Sequence, residues 1–104
     1  MSGVRMVIAA ALWLCTLGAS AGDCCARPEK GFVPDEKTAV RIAEAVLAPI
    51  YGEATIAKER PFKATLEGSN WHVEGYLPPD RVGGVAEAWI DKKDGRIVRH
   101  LHGK

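Results

Sequence analysis

The fold is decided by residues 62–77, which read FKATLEGSNWHVEGYL. Apolar and polar residues alternate on both sides of Gly68-Ser69, as expected for two half-buried strands joined by a tight turn. A two-residue turn pairs Glu67 with Asn70, Leu66 with Trp71, Ala64 with Val73 and Phe62 with Gly75, and on the opposite face Lys63 with Glu74 and Thr65 with His72. One face of this hairpin is therefore predicted to be core, with Trp71 in it, and the other to face water.

Two further strands are predicted downstream. The segments Val85–Asp91 and Ile97–His102 flank the loop Lys92–Gly95. A four-residue loop pairs Asp91 with Arg96, Ile90 with Ile97 and Trp89 with Val98, and so brings together opposite charges and apolar partners. A two-residue Asp-Gly loop is the alternative, but it would place Lys93 opposite Arg96.

Upstream of the hairpin, apolar residues recur at steps of three and four. This spacing predicts an amphipathic helix of about 15 residues that ends near residue 50. Asp35 is placed to cap its first N–H groups, and Gly52 follows Tyr51 as a stop. The apolar positions are Ala39, Ile42, Ala43, Val46, Leu47 and Ile50. The predicted fold class is α+β, with one N-terminal helix packed on a four-stranded antiparallel meander sheet.

The first 21 residues have the pattern of a secretory signal peptide. Arg5 is the only charge before the apolar run Met6–Leu17, and Ala19-Ser20-Ala21 supplies small residues for cleavage after Ala21. The run is about 12 residues, short of the roughly 20 that span a bilayer. We therefore expect export to the periplasm or cell envelope and no membrane association after cleavage. The alternatives are an amphipathic or uncleaved N-terminal anchor and a lipid-modified cysteine, although Leu14 and Asp23, which precede Cys15 and Cys24, are not the small residues that lipid modification expects. Residues 22–32 are expected to be a flexible linker, and residues 33–104 the domain.

Three cysteines lie near the end of this segment. Cys15 would leave with the signal, whereas the adjacent pair Cys24 and Cys25 would remain. In an oxidising compartment this pair could be joined to each other, joined to a second chain as a dimer, or left free. A bond between neighbours closes almost no loop and would stabilise the fold little.

Charge and motif content argue against several functions. The chain has 14 Lys+Arg and 13 Asp+Glu, a net charge of +1, and no basic cluster for nucleic acid. No carboxylate or cysteine at a convincing spacing completes a metal site with His72, His100 and His102. Glu59 is flanked by Lys58 and Arg60, and no serine has a nucleophile-elbow context. We expect no cofactor, no metal and no catalysis.

One group of apolar residues is a candidate binding site. In the expected pairing, Trp89 lies opposite Val98 on the face away from Ile90. Tyr76, Val85, Trp89 and Val98 could then form an exposed apolar patch suited to a protein partner. The alternative is a different register, which would place Trp89 in the core.

The predicted domain also contains stretches with a familiar pattern: Gly31–Ala39, Ile42–Gly52, Pro61–Ala64, Trp71–Pro78, Asp91–Ile97 and His102–Lys104. Together they resemble the bacterial immunity-protein family with a nuclear-transport-factor-two-like (NTF2-like, cystatin-like) fold. The resemblance implies a polymorphic-toxin setting, in which the protein binds a cognate toxin and protects the producing cell without chemistry. It also implies a partner toxin that acts outside the cytoplasm if the chain is exported.

Two other functional classes stay open at this point. One is a periplasmic inhibitory or peptide-binding module similar to PepSY domains, which also join a helix to a meander with an Asp-Gly turn. The other is a small enzyme of the ketosteroid-isomerase-like type. Such an enzyme would require a pocket holding a desolvated carboxylate or histidine.

Overall fold

The computed structural model of the chain describes residues 26–103. The predicted signal peptide, Cys24 and Cys25 lie outside these residues. The elements are α1 (Glu36–Tyr51), α2 (Glu53–Lys58), β1 (Lys63–Glu67), β2 (Asn70–Glu74), β3 (Ala86–Asp91) and β4 (Ile97–His102). The strands form one antiparallel sheet in the order β1-β2-β3-β4. The predicted α+β fold is confirmed, and the short helix α2 is an addition to it.

Helix α1 begins and ends where its capping residues predict. The Asp35 carboxylate accepts a hydrogen bond from the Thr38 N–H at 2.8 Å, and this interaction with Thr38 lowers the pKa of Asp35. Pro49 lies inside the last turn, and the helix continues through Tyr51. Gly52 then adopts a φ of +102°, a value that favours glycine, and its N–H donates to the Ala48 carbonyl.

The core lies between α1 and one face of the sheet. Small residues meet at this interface, which allows the helix to approach the strands closely. The buried members are Ala39, Ala43, Leu47 and Ala48 of α1, Ile56 of α2, Val33, Phe62, and Ala64, Trp71, Val73, Ala86, Ala88 and Ile90 of the sheet. Trp71 is 9% exposed, and its indole N–H donates to the Val33 carbonyl at 2.8 Å. Trp71 is therefore core, as predicted.

The first hairpin has the predicted register: Leu66 pairs with Trp71, Ala64 with Val73, and Thr65 with His72. Gly68 has a φ of +63°, which its turn position requires. The second hairpin also has the predicted four-residue loop, because Ile90 pairs with Ile97 and the Asp91 N–H donates to the Arg96 carbonyl.

One predicted pair in the second hairpin is wrong. Trp89 pairs with Arg99, not with Val98, because the register shifts between Trp89 and Ile90. Val98 is the extra residue of this β-bulge and is 45% exposed. Beyond the bulge, Arg99 and Leu101 share the face of Trp89, while His100 and His102 lie on the helix-bearing face.

The segment before α1 is attached to the loop between β3 and β4. The Phe32 and Val33 N–H groups donate to the carbonyls of Lys93 and Lys92, at 3.0 and 3.1 Å. A Cβ atom at Gly31 would lie 2.4 Å from the Lys92 oxygen, so only glycine fits there. Gly31 and Phe32, the last two residues of the linker expected over residues 22–32, therefore contact the domain directly. Within residues 26–103, no helix combines the length and the apolar character needed to cross a membrane.

The burial of Trp71 gives a prediction for stability. We expect Trp71→Ala to lower the free energy of unfolding by about 3–5 kcal/mol, since it removes a core side chain and leaves a cavity. Trp71→Phe keeps most of the volume but loses the bond to Val33, and should cost about 1 kcal/mol or somewhat more. Denaturant unfolding measures both. A loss for Trp71→Ala no larger than that for the less buried Trp89→Ala would contradict this role.

Candidate functional site

The sheet face opposite α1, here called the outer face, is not covered by any other element of residues 26–103. It is formed by alternate residues of the four strands, none of which is buried. Its members are Lys63, Thr65 and Glu67 of β1, Asn70, His72 and Glu74 of β2, Glu87, Trp89 and Asp91 of β3, and Arg99 and Leu101 of β4. This face is the candidate binding surface.

A row of paired residues crosses the centre of the outer face. Thr65 pairs with His72, His72 with Trp89, and Trp89 with Arg99. The His72 and Trp89 rings stack with centroids 4.4 Å apart and an interplanar angle of 5°. The Arg99 guanidinium carbon lies 4.8 Å from the Trp89 ring centroid, a cation–π contact. These contacts hold the Trp89 indole in one orientation.

Three glutamates surround His72. Its Nδ1 lies 3.0 Å from Glu67 Oε2, and its Nε2 lies 2.8 Å from Glu87 Oε1 and 4.0 Å from Glu74 Oε2. His72, Glu74 and Glu87 each offer one donor atom, and these atoms lie within 4.8 Å of one another. From the sequence, no carboxylate at a convincing ligand spacing was expected to complete a metal site with His72. Glu67 comes from β1, Glu74 from β2 itself and Glu87 from β3, and the sequence does not predict the β2–β3 pairing that brings in Glu87.

The residues of the predicted patch are divided between two places. Trp89 lies in the central row of the outer face, and Val98 is exposed beside Arg99 at the bulge. Tyr76 and Val85 instead line a cleft of about 240 Å³ that also contains Glu59, Arg81 and His102. The structure therefore brings Tyr76 and Val85 together but gives Trp89 a different set of neighbours.

Glu59 is the central side chain of this cleft. Its Oε1 accepts from the Ala86 N–H at 2.7 Å, its Oε2 lies 2.8 Å from His102 Nε2, and its main-chain carbonyl accepts from the Tyr76 N–H at 2.7 Å. The side chain is 12% exposed. The flanking Lys58 and Arg60 suggested an exposed glutamate, and only the fold shows that Glu59 points inward.

Both ring nitrogens of His102 face oxygen atoms. Nε2 meets the Glu59 carboxylate, and Nδ1 lies 2.7 Å from the Gly103 carbonyl. A carbonyl can only accept, so this arrangement favours the doubly protonated ring. The hydrogen bond to Glu59 raises the pKa of His102, and partial burial of the ring opposes that shift.

This raised pKa predicts how stability depends on pH. A histidine with a raised pKa in the folded state contributes stability that is complete below the unfolded pKa and is lost as pH rises through the folded pKa. We therefore expect the free energy of unfolding to fall as pH rises from the ordinary histidine pKa of about 6.5 through the raised pKa of folded His102, a range in which Asp and Glu side chains stay ionised. Denaturant unfolding at several pH values measures the fall.

The matched control is His102→Gln, whose amide can still donate to Glu59 but cannot titrate. Its stability should vary less with pH than that of the wild type. Equal pH slopes for the two proteins would contradict a stabilising His102 charge. The comparison also removes any contribution from His72 and His100, which both proteins share.

The fold and site define a class: a small α+β protein in which a helix covers one sheet face and the other face carries a fixed aromatic and charged row. Residues 38–104 match a family described as NTF2 fold immunity protein, Imm-NTF2-2. The chain belongs to this family, as the resemblance implied. Immunity is the role that the description of this family names.

Two relatives come from Escherichia coli (strain K12). The chain is 34% identical over 76 residues to the uncharacterized protein YhhH, covering 72% of this chain and 60% of that protein. It is 37% identical over 76 residues to the uncharacterized protein YbbC, covering 72% of this chain and 62% of that protein. The chain thus spans about three fifths of the length of these relatives. No solved structure matches it significantly.

Proposed function

We propose that this protein is a non-catalytic immunity protein that binds a cognate toxin through its outer face and so protects the producing bacterium. Family membership supports the general role. The observation that carries the proposal is Trp89, which is placed between His72 and Arg99 on a sheet face that none of the described elements buries.

The composition of the outer face suits a protein partner. Tryptophan and arginine are the residue types most often found at the energetic centre of interfaces. Trp89 and Arg99 lie side by side here, and stacking on His72 reduces the side-chain freedom that binding would otherwise cost. Glu67, Glu74 and Lys63 surround this centre with charge, as the polar rim of an interface does.

The contacts of Glu59 support a binding role over an enzymatic one. A catalytic carboxylate needs an oxygen free to reach substrate. Both Glu59 oxygens are instead engaged, one by the Ala86 N–H and one by His102. The cleft therefore contains a carboxylate and a histidine whose hydrogen bonds hold the fold together.

Export completes the proposal. The signal-peptide pattern of residues 1–21, with cleavage after Ala21, would deliver the domain to the periplasm or cell envelope. The toxin it neutralises would then act in that compartment and not on cytoplasmic nucleic acid.

The proposal is tested by capture followed by a protection assay. The chain is used as bait in the envelope fraction of its source bacterium, and each captured protein is then expressed alone and together with the chain. We expect a captured protein that stops growth alone and is harmless when co-expressed. Recovery of only a protease or sensor, with no toxicity for the chain to suppress, would contradict the immunity role.

The contribution of Trp89 is tested with the captured toxin. We expect Trp89→Ala to weaken binding by at least about 2 kcal/mol, roughly 30-fold in Kd, because it removes the aromatic centre of the surface. Calorimetry or surface plasmon resonance measures the change. Tyr76→Ala is the matched control, since Tyr76 is an exposed aromatic at the cleft, and it should bind as the wild type does.

Thermal unfolding of both variants separates binding from folding. Trp89→Ala should remain folded at the temperature of the binding assay. Unfolding of Trp89→Ala with no separable binding effect would show that Trp89 is structural. If only Tyr76→Ala lost toxin binding, the toxin would bind at the cleft and not at the outer face.

A further inference from the structure

We propose that His72, Glu74 and Glu87 bind a divalent metal ion on the outer face, and that zinc is the ion that fits best. The inference goes beyond the immunity role and does not depend on it. It rests on how β2 and β3 are paired and on the charges that this pairing brings together.

The register places the three donor groups around one point. Glu74 lies directly opposite Glu87, and His72 precedes Glu74 by two residues on the same face of β2. The donor atoms lie within 4.8 Å of one another. Zinc binds nitrogen and carboxylate oxygen at about 2.0–2.2 Å in a tetrahedron, which separates neighbouring donors by about 3.4 Å. The Glu74 side chain is 48% exposed and is free to make the required small movement.

The arrangement needs a positive charge. A neutral imidazole carries one N–H, so when Nδ1–H donates to Glu67, Nε2 presents its lone pair to the Glu87 carboxylate 2.8 Å away. Glu74 and Glu87 are like charges paired directly across two strands, which is destabilising. Both carboxylates lie near this lone pair, Glu87 at 2.8 Å and Glu74 at 4.0 Å. A divalent ion bound between the three groups would accept the lone pair and offset the repulsion between the two carboxylates.

His72 is oriented as a metal ligand requires. Metal-binding histidines almost always donate their second ring N–H to a carboxylate or carbonyl, which sets the tautomer and the ring plane. Glu67 is in that position, at 3.0 Å from Nδ1. Stacking on Trp89 restrains the same ring from its flat side.

The donor set favours zinc over the common hard cations. One imidazole nitrogen and two carboxylates are all ligand types that zinc accepts, and three protein ligands with one position left for water is the ligand number of its open sites. Calcium takes six to eight oxygen ligands, and magnesium requires near-octahedral oxygen coordination. His72, Glu74 and Glu87 do not supply either arrangement.

The test is a zinc titration of the full chain, followed by NMR of the imidazole C–H signals of its three histidines. We expect saturable shifts of the His72 signals, with smaller effects at His100 and His102. Because the histidine signals are measured, zinc binding at His72 can be distinguished from zinc binding by the cysteines. Zinc shifts confined to His100 or His102, or no response at His72, would overturn the proposal.

The decisive variant is Glu74→Gln. Glu74 Oε2 lies 4.0 Å from His72 Nε2, too far for a hydrogen bond, so the substitution leaves the His72 contacts with Glu67 and Glu87 in place while removing a ligand. We expect zinc affinity at His72 to fall at least about tenfold, and Glu67→Gln to lower it about 10- to 100-fold by freeing the ring. Glu53→Gln, an exposed carboxylate in the first turn of α2, is the control and should bind as the wild type does. Unchanged affinity in Glu74→Gln would show adventitious binding by a lone histidine and would contradict the site.

Discussion

The hydrogen bonds of Glu59 hold one end of the structure together. This residue follows α2, and its main chain and side chain bind Tyr76, two residues beyond β2, Ala86 at the start of β3 and His102 at the end of β4. The close fit extends to two glycines: a Cβ atom at Gly75 would lie 2.9 Å from the Glu59 side chain, and one at Gly84 would lie 2.2 Å from the Gly103 backbone. The ends of β3 and β4 are therefore joined by the Glu59 carboxylate, and the chain that leaves β2 is joined to them by the Glu59 main-chain carbonyl.

This alignment determines what the two sheet faces present. On the inner face, the alanines of β3 allow α1 to pack closely, and Trp71 fills the space toward Val33. On the outer face, the same register brings His72, Trp89 and Arg99 into one row. A slip of one residue between β2 and β3 would exchange these sets, because neighbouring side chains in a strand point to opposite faces. The candidate binding surface at the centre of the sheet thus depends on contacts made at one end of the strands.

Local signals predicted much of this fold. The cap at Asp35, the helical spacing of α1, and the turns at Gly68-Ser69 and Lys92–Gly95 each depend on residues close in sequence, and these predictions were confirmed. Helix α2 has only six residues, too few to show a helical period. The β-bulge at Val98 adds a residue to β4, and no glycine marks its position in the sequence. The β2–β3 register could not be derived, since residues 75–85 between these strands contain no hairpin turn that would fix it. The contact of His72 with Glu87 and the contact of Glu59 with Ala86 both involve β3, so they could not be predicted from the sequence either.

The central claim is that the outer face, and not the cleft, receives the toxin. The most direct measurement is NMR of the isotope-labelled chain mixed with its captured toxin, with the side-chain signals of both regions followed in one experiment. The account predicts that the signals of His72, Trp89 and Arg99 change on binding while those of Tyr76 and Val85 do not. Changes confined to Tyr76, Val85 and His102 would contradict it and would place the interface at the cleft.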